Sequence, residues 1–246
     1  MYRTDDVRFA HYADMIRCGA VYPMSMAQGI QGGDMYTDGE AVLFHHDCGF
    51  GLLAGDMSIA FLDDVYELMK NCGRRLVLFS ERSDVTERFA SRADIRTDLR
   101  YFYEYKGSDD IPVTAPKRGF TVERIDAGNI DRLNGRIVPS FSWKRDVFLK
   151  NGFGFAVMCG GKAASWAFSA AVSDTETDIG VETAEEFRGQ GLASAAVSAM
   201  TAYILRTGRK PVWACHHLNT ASARLAEKNG FVKVAECMTI TREGTT

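Results

Sequence analysis

An α/β fold in two halves is what the sequence predicts, and three observations carry that expectation. Short apolar runs alternate with stretches of helical periodicity along most of the 246 residues. A polar stretch with two prolines, "GSDDIPVTAPKRG" (107–119), breaks the alternation and reads as a linker between residues 1–110 and 119–246. In the second half an apolar strand runs through a glycine turn straight into a long helix, the junction of an α/β unit.

The first half is the plainer of the two. Residues 40–55 hold two apolar runs, "AVLFHH" and "GFGLLAGD", that read as a hairpin. A helix follows at 60–71, where Phe61, Val65, Leu68 and Met69 recur at helical spacing. "RRLVLFS" (74–80) reads as a buried strand, "SDVTERFA" (83–90) as a short helix and "LRYFYEYK" (99–106) as an aromatic strand.

In the second half "FTVERI" reads as a strand, and "DAGNIDRLN" and "SFSWKRDVFLK" as helices. "FGFAVMC" and "KAASWAFSAAV" make a hairpin about Gly160 and Gly161. That turn, with Lys162 beside it, argues against a membrane span over 152–172, although the stretch is long enough for one. Next come the strand "TDIGVET" (177–183) and a helix over 191–207. The helix carries Leu192, Ala196, Ala199, Met200, Tyr203 and Ile204 on one face, and Gly208 is its left-handed stop. "PVWAC" is a strand, "NTASARLAEKN" a helix stopped by Gly230, and "FVKVAECMTI" a final strand. The halves echo each other: "LMKNCGRRLVLFSERSDVTERFA" and "YILRTGRKPVWACHHLNTASARLA" both run helix, glycine, basic pair, strand, helix. The register drifts by one residue, so duplication is only weakly signalled; on that reading the first half is a degenerate copy without a glycine turn.

Bulk properties narrow the function. A net charge of −3 without any block of like charge argues against a nucleic-acid or anionic-membrane binder. The acidic N-terminal stretch has no apolar core of signal-peptide length, and six cysteines form no CxxC pair, so reduced thiols in the cytoplasm are expected.

The chemistry is concentrated in "EEFRGQGLAS" (185–194). A helix start offers unpaired N–H groups and the positive end of its dipole to phosphate. Glycines at 189 and 191 let backbone approach a ligand, and Arg188 adds a forked donor. The stretch is neither a Walker loop, lacking Gly-Lys-Ser/Thr, nor a dinucleotide fingerprint, since Ser194 stands where the third glycine would fall. A tight turn without ligand remains the plain alternative.

Arg188-Gly189-Gln190-Gly191-Leu192-Ala193 fits the [Q/R]xxGx[G/A] motif, and Asn219, Leu225, Lys228, Gly230 and Phe231 match NxxAxxLYxKxGF at unbroken spacing. On these linked motifs the chain resembles the GCN5-related N-acetyltransferases over 119–246. Taken whole, with "NGFGFAVMCGGK" and "IGVETAEEFRGQGLASAAVSA", it resembles their zwittermicin-A-resistance-type branch. The resemblance implies a mixed sheet flanked by helices over 119–246, and the echo between the halves adds the expectation of a smaller, degenerate half of the same kind before it. It implies acetyl-CoA as co-substrate, held between splayed strands 177–183 and 211–216. Val181 and Thr183 would hold the pantetheine through their backbone, and the N–H groups of Arg188, Gly189, Gln190, Gly191, Leu192, Ala193 and Ser194 the pyrophosphate. Asn219 would touch the cofactor arm, cap the following helix at Ser222 or its neighbour, or both. Ser222 stands where the family has alanine, its hydroxyl either structural or turned to the cofactor.

Acetyl transfer to an amine needs a base for the ammonium proton and a proton for the leaving thiolate. Glu182 is the candidate base, with a solvated strand-end carboxylate as the alternative. The family's acid is the tyrosine of LYxKxGF; this chain has Ala226 there, so another group or water must serve. Phe141 and Trp143 stand before the hairpin where the resemblance places an acceptor pocket, though core packing explains them as well. The expected activity is direct transfer to a primary amine of a small molecule. A non-catalytic acyl-CoA sensor and a protein N-acetyltransferase are the alternatives, and the oligomeric state is left open. The eye-catching "WACHHLN" (213–219) and "HHDC" (45–48) invite a metal reading. Strand alternation points His216 and His217 opposite ways and no CxxC or HxxxH spacing occurs, so no metal is expected. One of the two histidines is kept as a second base candidate.

Overall fold

The computed structural model describes residues 1–108 and 113–244. Residues 109–112 of the expected linker, and 245–246, lie outside the described residues. The chain divides into two compact units: unit 1 comprises 1–102, 215–218 and 234–246, and unit 2 comprises 103–214 and 219–233.

Unit 1 opens with β1 (Tyr2–Thr4), a 3₁₀ segment over Val7–Met15, and α1 (Val21–Ala27). Then β2 (Gly33–Thr37), β3 (Ala41–His46) and β4 (Phe50–Gly55) form an antiparallel meander. After α2 (Ile59–Asn71) come β5 (Val77–Ser80), α3 (Ser83–Ala90) and β6 (Ile95–Tyr105). The alternation of β3 decides the layering. Leu43 faces a cluster with Phe61, Val65 and Met69 of α2 and Val85 and Phe89 of α3. Val42 and Phe44 face the opposite way, against Ala13, Met24 and Met26. Helical segments therefore cover both faces of this sheet, as an α/β layer structure requires.

Unit 2 holds β7 (Thr121–Arg124), α4 (Arg145–Asn151), β8 (Gly154–Cys159), β9 (Lys162–Val172), β10 (Glu176–Thr183), α5 (Leu192–Arg206), β11 (Lys210–His216) up to Ala214, its last two residues counting with unit 1, and α6 (Thr220–Lys228). β12 (Phe231–Arg242) follows. Strands here stand in the order β11–β10–β9–β8–β7, parallel only at β10–β11. The hairpin about Gly160 and Gly161 is present, both glycines at positive φ, and Gly208 and Gly230 stop their helices in the left-handed region. α5 packs along β8, β9 and β10. No helix among the described residues is long and apolar enough to cross a membrane.

Two expected helices fall short. "DAGNIDRLN" gives only a 3₁₀ turn at Ile130–Arg132. Asn129 Oδ1 accepts from the Asp126 amide and Asp126 Oδ1 from the Gly128 amide, so side chains replace the helical bonds. "SFSWKRDVFLK" splits into a 3₁₀ turn at Pro139–Phe141 and α4. Trp143 sits between them, buried, its indole donating to the Ser169 carbonyl at 2.6 Å and edge-on to Phe148. That tryptophan belongs to the core.

Candidate functional site

The ladder between β10 and β11 covers Glu176↔Lys210, Thr177↔Pro211 and Asp178↔Val212, and no pair beyond these forms among the described residues. At the same point the β9–β10 register shifts, between Asp178 and Ile179. The extra residue is Ala170, so the bulge lies on β9, and it sharpens the local twist beside the point where the β10–β11 ladder ends. On its β11 side the strand end Val181–Thr183 borders open space, while its other edge stays paired with Ala167, Trp166 and Ser165 of β9.

That space is a groove of about 440 Å³. Its lining contains every residue expected to touch the co-substrate: Val181, Thr183, Arg188, Gly189, Gln190, Gly191, Leu192, Ala193, Ser194, Asn219 and Ser222. Glu182 lines it too, and Phe187, Ala221, Leu225 and Lys228 complete the wall. Lys228 was visible as a motif position; Phe187 had no sequence signal.

The floor is the start of α5. Gly189 and Gly191 hold φ of +74° and +78°, and a Cβ on either would meet nothing within 4 Å. A side chain there would be strained by conformation rather than by crowding, and would occupy the groove. Gly191 is the N-cap, so no side chain caps the helix. Most helices satisfy those amides with a serine, threonine or aspartate; here the Ser194 amide donates to the Gly191 carbonyl at 3.2 Å and no side chain among the described residues serves the others.

Across the groove α6 is capped in the expected way: Asn219 Oδ1 accepts from the Ser222 amide at 3.1 Å. The Asn219 side-chain NH₂ has no partner among the described residues, so capping leaves a donor over. The Ser222 hydroxyl accepts from the Trp213 indole at 3.1 Å, which ties α6 to β11. Asn229 donates to the Leu225 carbonyl at 2.7 Å and lies 3.4 Å from the Ser194 hydroxyl, joining the end of α6 to the first turn of α5.

Glu182 is held rather than solvated. The Ile137 amide donates to its Oε2 at 2.6 Å, and the Trp166 indole donates to the Ile137 carbonyl at 2.7 Å. A Cβ at Gly135 would collide with Glu182 Oε2 and with the Trp166 ring, so only glycine lets this loop approach. Nothing local in the sequence signals a contact 45 residues away. Oε1 accepts no bond among the described residues, leaving one oxygen for a proton. Ala226 is fully buried, so no phenol faces the groove from that position.

The histidine-cysteine stretch at 45–48 is structural. His46 is buried, takes the Cys48 amide on Nδ1 at 3.1 Å and meets Tyr22 edge-on. Burial pushes its pKa down to about 3, with neighbouring His45 adding to the effect. His45 has one ring nitrogen 2.9 Å from the Arg75 carbonyl. All six cysteines are free thiols.

A family model for GNAT acetyltransferases matches residues 22–239. An uncharacterised N-acetyltransferase of Bacillus subtilis, YdfB, is 27% identical over 199 residues, covering 77% of this chain and 76% of its own length. Among solved structures, a GCN5-related N-acetyltransferase-like protein from Streptococcus suis superposes with a TM-score of 0.75 at 22% identity, covering 96% of this chain and 97% of that one. A tandem GNAT protein from the clavulanic acid biosynthesis pathway superposes with a TM-score of 0.64 at 12% identity, covering 98% and 94%.

Proposed function

We propose, on the premise that the chain belongs to the GNAT acetyltransferase family, that the groove of unit 2 holds acetyl-CoA and that the acetyl group passes directly to a primary amine of a small molecule. The observation that carries this reading is the convergence of the strand end, the uncapped α5 terminus and the Asn219 cap on one groove. In this reading the stretch Arg188 to Ser194 receives the pyrophosphate through the amides between those two residues, whose own amides donate to the Glu185 and Gly191 carbonyls. Lys228 and Arg188 supply positive charge beside it. The backbone of Val181 and Thr183 lies along the pantetheine, and the spare Asn219 NH₂ donates to the arm. Bound there, the thioester supplies the activated acetyl group.

Glu182 takes the proton that an ammonium must lose before its nitrogen can attack. The Ile137 amide fixes one carboxylate oxygen and leaves Oε1 to act. With Ala226 in the acid position, the thiolate is protonated by water or by another group. The zwittermicin-A-resistance-type placing, the small-molecule acceptor and a cytoplasmic location belong to the same proposal, as does the assignment of residues 119–246 to the transferase half and 1–110 to the smaller one.

Mass spectrometry of an amine library incubated with the full chain and acetyl-CoA tests it. Acetylated products with intersecting-line kinetics are expected. Parallel lines with a trapped acetyl-enzyme would overturn direct transfer. CoA binding without any product would instead make the protein a sensor, an outcome to which Ala226 gives specific weight.

A further inference from the structure

Neither His216 nor His217, one of them the second base candidate, is in the groove lining; in unit 1 both join Asp98 in a cluster, each residue offering one ligand atom, all within 4.8 Å of one another. Alternation along a strand would send the two histidines to opposite faces. But β11 ends at His216, and His217 lies in the turn that follows, so the two imidazoles stand 4.7 Å apart at 32°.

The hydrogen bonds around the cluster fix which nitrogens keep a lone pair. His217 Nδ1 lies 3.1 Å from the Leu99 carbonyl, which only accepts, so Nδ1 carries the proton and Nε2 presents its lone pair. The His217 amide bonds the same carbonyl at 2.9 Å, so ring and backbone are held together. No hydrogen bond is formed by His217 Nε2 among the described residues. A ring nitrogen committed to a backbone carbonyl, with the other left bare, is the arrangement that orients metal-ligating histidines. On the Asp98 side, Arg96 pairs with Oδ2 at 2.8 Å and leaves Oδ1 turned to His216.

The Asp98 Oδ1 to His216 Nε2 distance is 3.3 Å. Two ligands on metal–ligand bonds of about 2.0 Å in a tetrahedron stand roughly 3.3 Å apart. Without a cation, a proton occupies this edge: the Leu218 amide donates to His216 Nδ1 at 3.2 Å, which puts the ring proton on Nε2 toward Asp98. A cation at the edge moves that proton to Nδ1 and breaks the Leu218 bond. Leu218 is 70% exposed, so its amide turns to water at little cost. Neutral His216 thus keeps one proton throughout, and the site needs no net proton release from it. Side-chain exposures of 35% for His216 and 22% for Asp98 leave the cluster reachable from solvent.

We infer that Asp98, His216 and His217 form a binding site for a late first-row divalent cation of the zinc class, with two imidazoles and one carboxylate as donors and a remaining position for water. Two nitrogens and one carboxylate oxygen suit zinc, cobalt, nickel or copper better than calcium or magnesium, which prefer all-oxygen shells.

The test is titration of the metal-free full chain with Zn²⁺ by calorimetry, and with Co²⁺ by visible absorption. One equivalent of each is expected per chain, and Co²⁺ should give the intense bands of four-coordinate geometry. His217→Gln and Asp98→Asn should each weaken Zn²⁺ binding at least tenfold while the circular dichroism spectrum stays that of the parent. Absence of stoichiometric binding, or equal affinity in both variants, would overturn the site. So would loss of binding in Cys48→Ser with His217→Gln unaffected, because the cation would then sit at the other histidine cluster.

Discussion

Among the described residues each unit contains a parallel strand pair that opens after three positions, and the two openings are finished in opposite ways. In unit 1, β4 and β5 pair at Phe50↔Val77, Gly51↔Leu78 and Leu52↔Phe79, and a cavity of about 310 Å³ lies beyond, lined by Leu53, Ala54, Gly55, Ser80 and Glu81 among others. In unit 2 the three pairs of β10 and β11 lead to the groove already described. In unit 1 the following helix, α2, is closed by its own residue: Ser58 Oγ accepts from the Phe61 amide at 3.0 Å. Glu81 Oε1 is taken by the Cys18 amide at 2.7 Å. In unit 2 the corresponding helix starts at a glycine with no side-chain cap, and the strand end carries a carboxylate with a spare oxygen. The same geometric opening is thus a satisfied structure in one unit and a set of unspent donors and acceptors in the other. Parallel pairing and splay make room; leaving polar groups unsatisfied makes a site.

Removing the carboxylate should give the largest effect. Glu182→Gln keeps the Ile137 bond but cannot take a proton, and should lower kcat by about 10²–10⁴-fold with CoA affinity unchanged. A steady-state pH profile that keeps its acidic limb in this variant would rule out Glu182 as base.

The second prediction separates the units by titration. All five histidines fall in unit 1, and burial holds His46 neutral down to a pKa of about 3. Its folded pKa lies below the unfolded value of about 6.5, so the unfolded chain binds the extra proton and stability falls as pH drops below 6.5. At pH 4.5 this one group costs roughly 3 kcal/mol. Denaturant unfolding followed from pH 7 to 4.5 should show the loss, and His46→Phe should flatten it. An unchanged slope in that variant would place the acid sensitivity elsewhere.

Gly191→Val tests the open helix start. Its φ of +78° makes a branched side chain cost about 1–2 kcal/mol of stability. CoA binding, read by calorimetry, should weaken more than tenfold as the side chain enters the groove. Full affinity with only a stability loss would mean that the turn is merely structural.

The smallest effect belongs to unit 1's own cap. Ser58→Ala should cost about 1 kcal/mol in thermal unfolding and leave acetylation kinetics unaltered. Asn219→Ala, with a similar stability loss, should in addition raise KM for acetyl-CoA. If the two variants behaved alike in kinetics, the contrast between a spent and an unspent cap would fail.

Much of this was legible before any fold was known, where the signal is local. The α3 boundaries, the hairpin glycines, the stops at Gly208 and Gly230 and the Asn219 cap follow from backbone preference and from bonds spanning a few residues. The groove lining was legible because its two motifs are contiguous stretches at the ends of adjacent elements. The failures were local conflicts. At 126–134 the carboxylate and amide side chains outbid the helix for backbone groups, and Trp143, readable as pocket or core, was settled by burial.

What the sequence determined by itself is the α/β alternation and the turn chemistry at Gly189 and Gly191, because these depend on φ preference, periodicity and capping within one or two turns; the groove-lining stretches were marked by their resemblance to family motifs. Only the tertiary structure decided that Ile137 and Gly135 would clamp Glu182 and that Asp98 would meet two histidines more than 100 residues away. Those contacts arise from sheet register and strand ends, where a shift of one residue reverses a side chain's face, and no local pattern encodes which distant residue will be opposite.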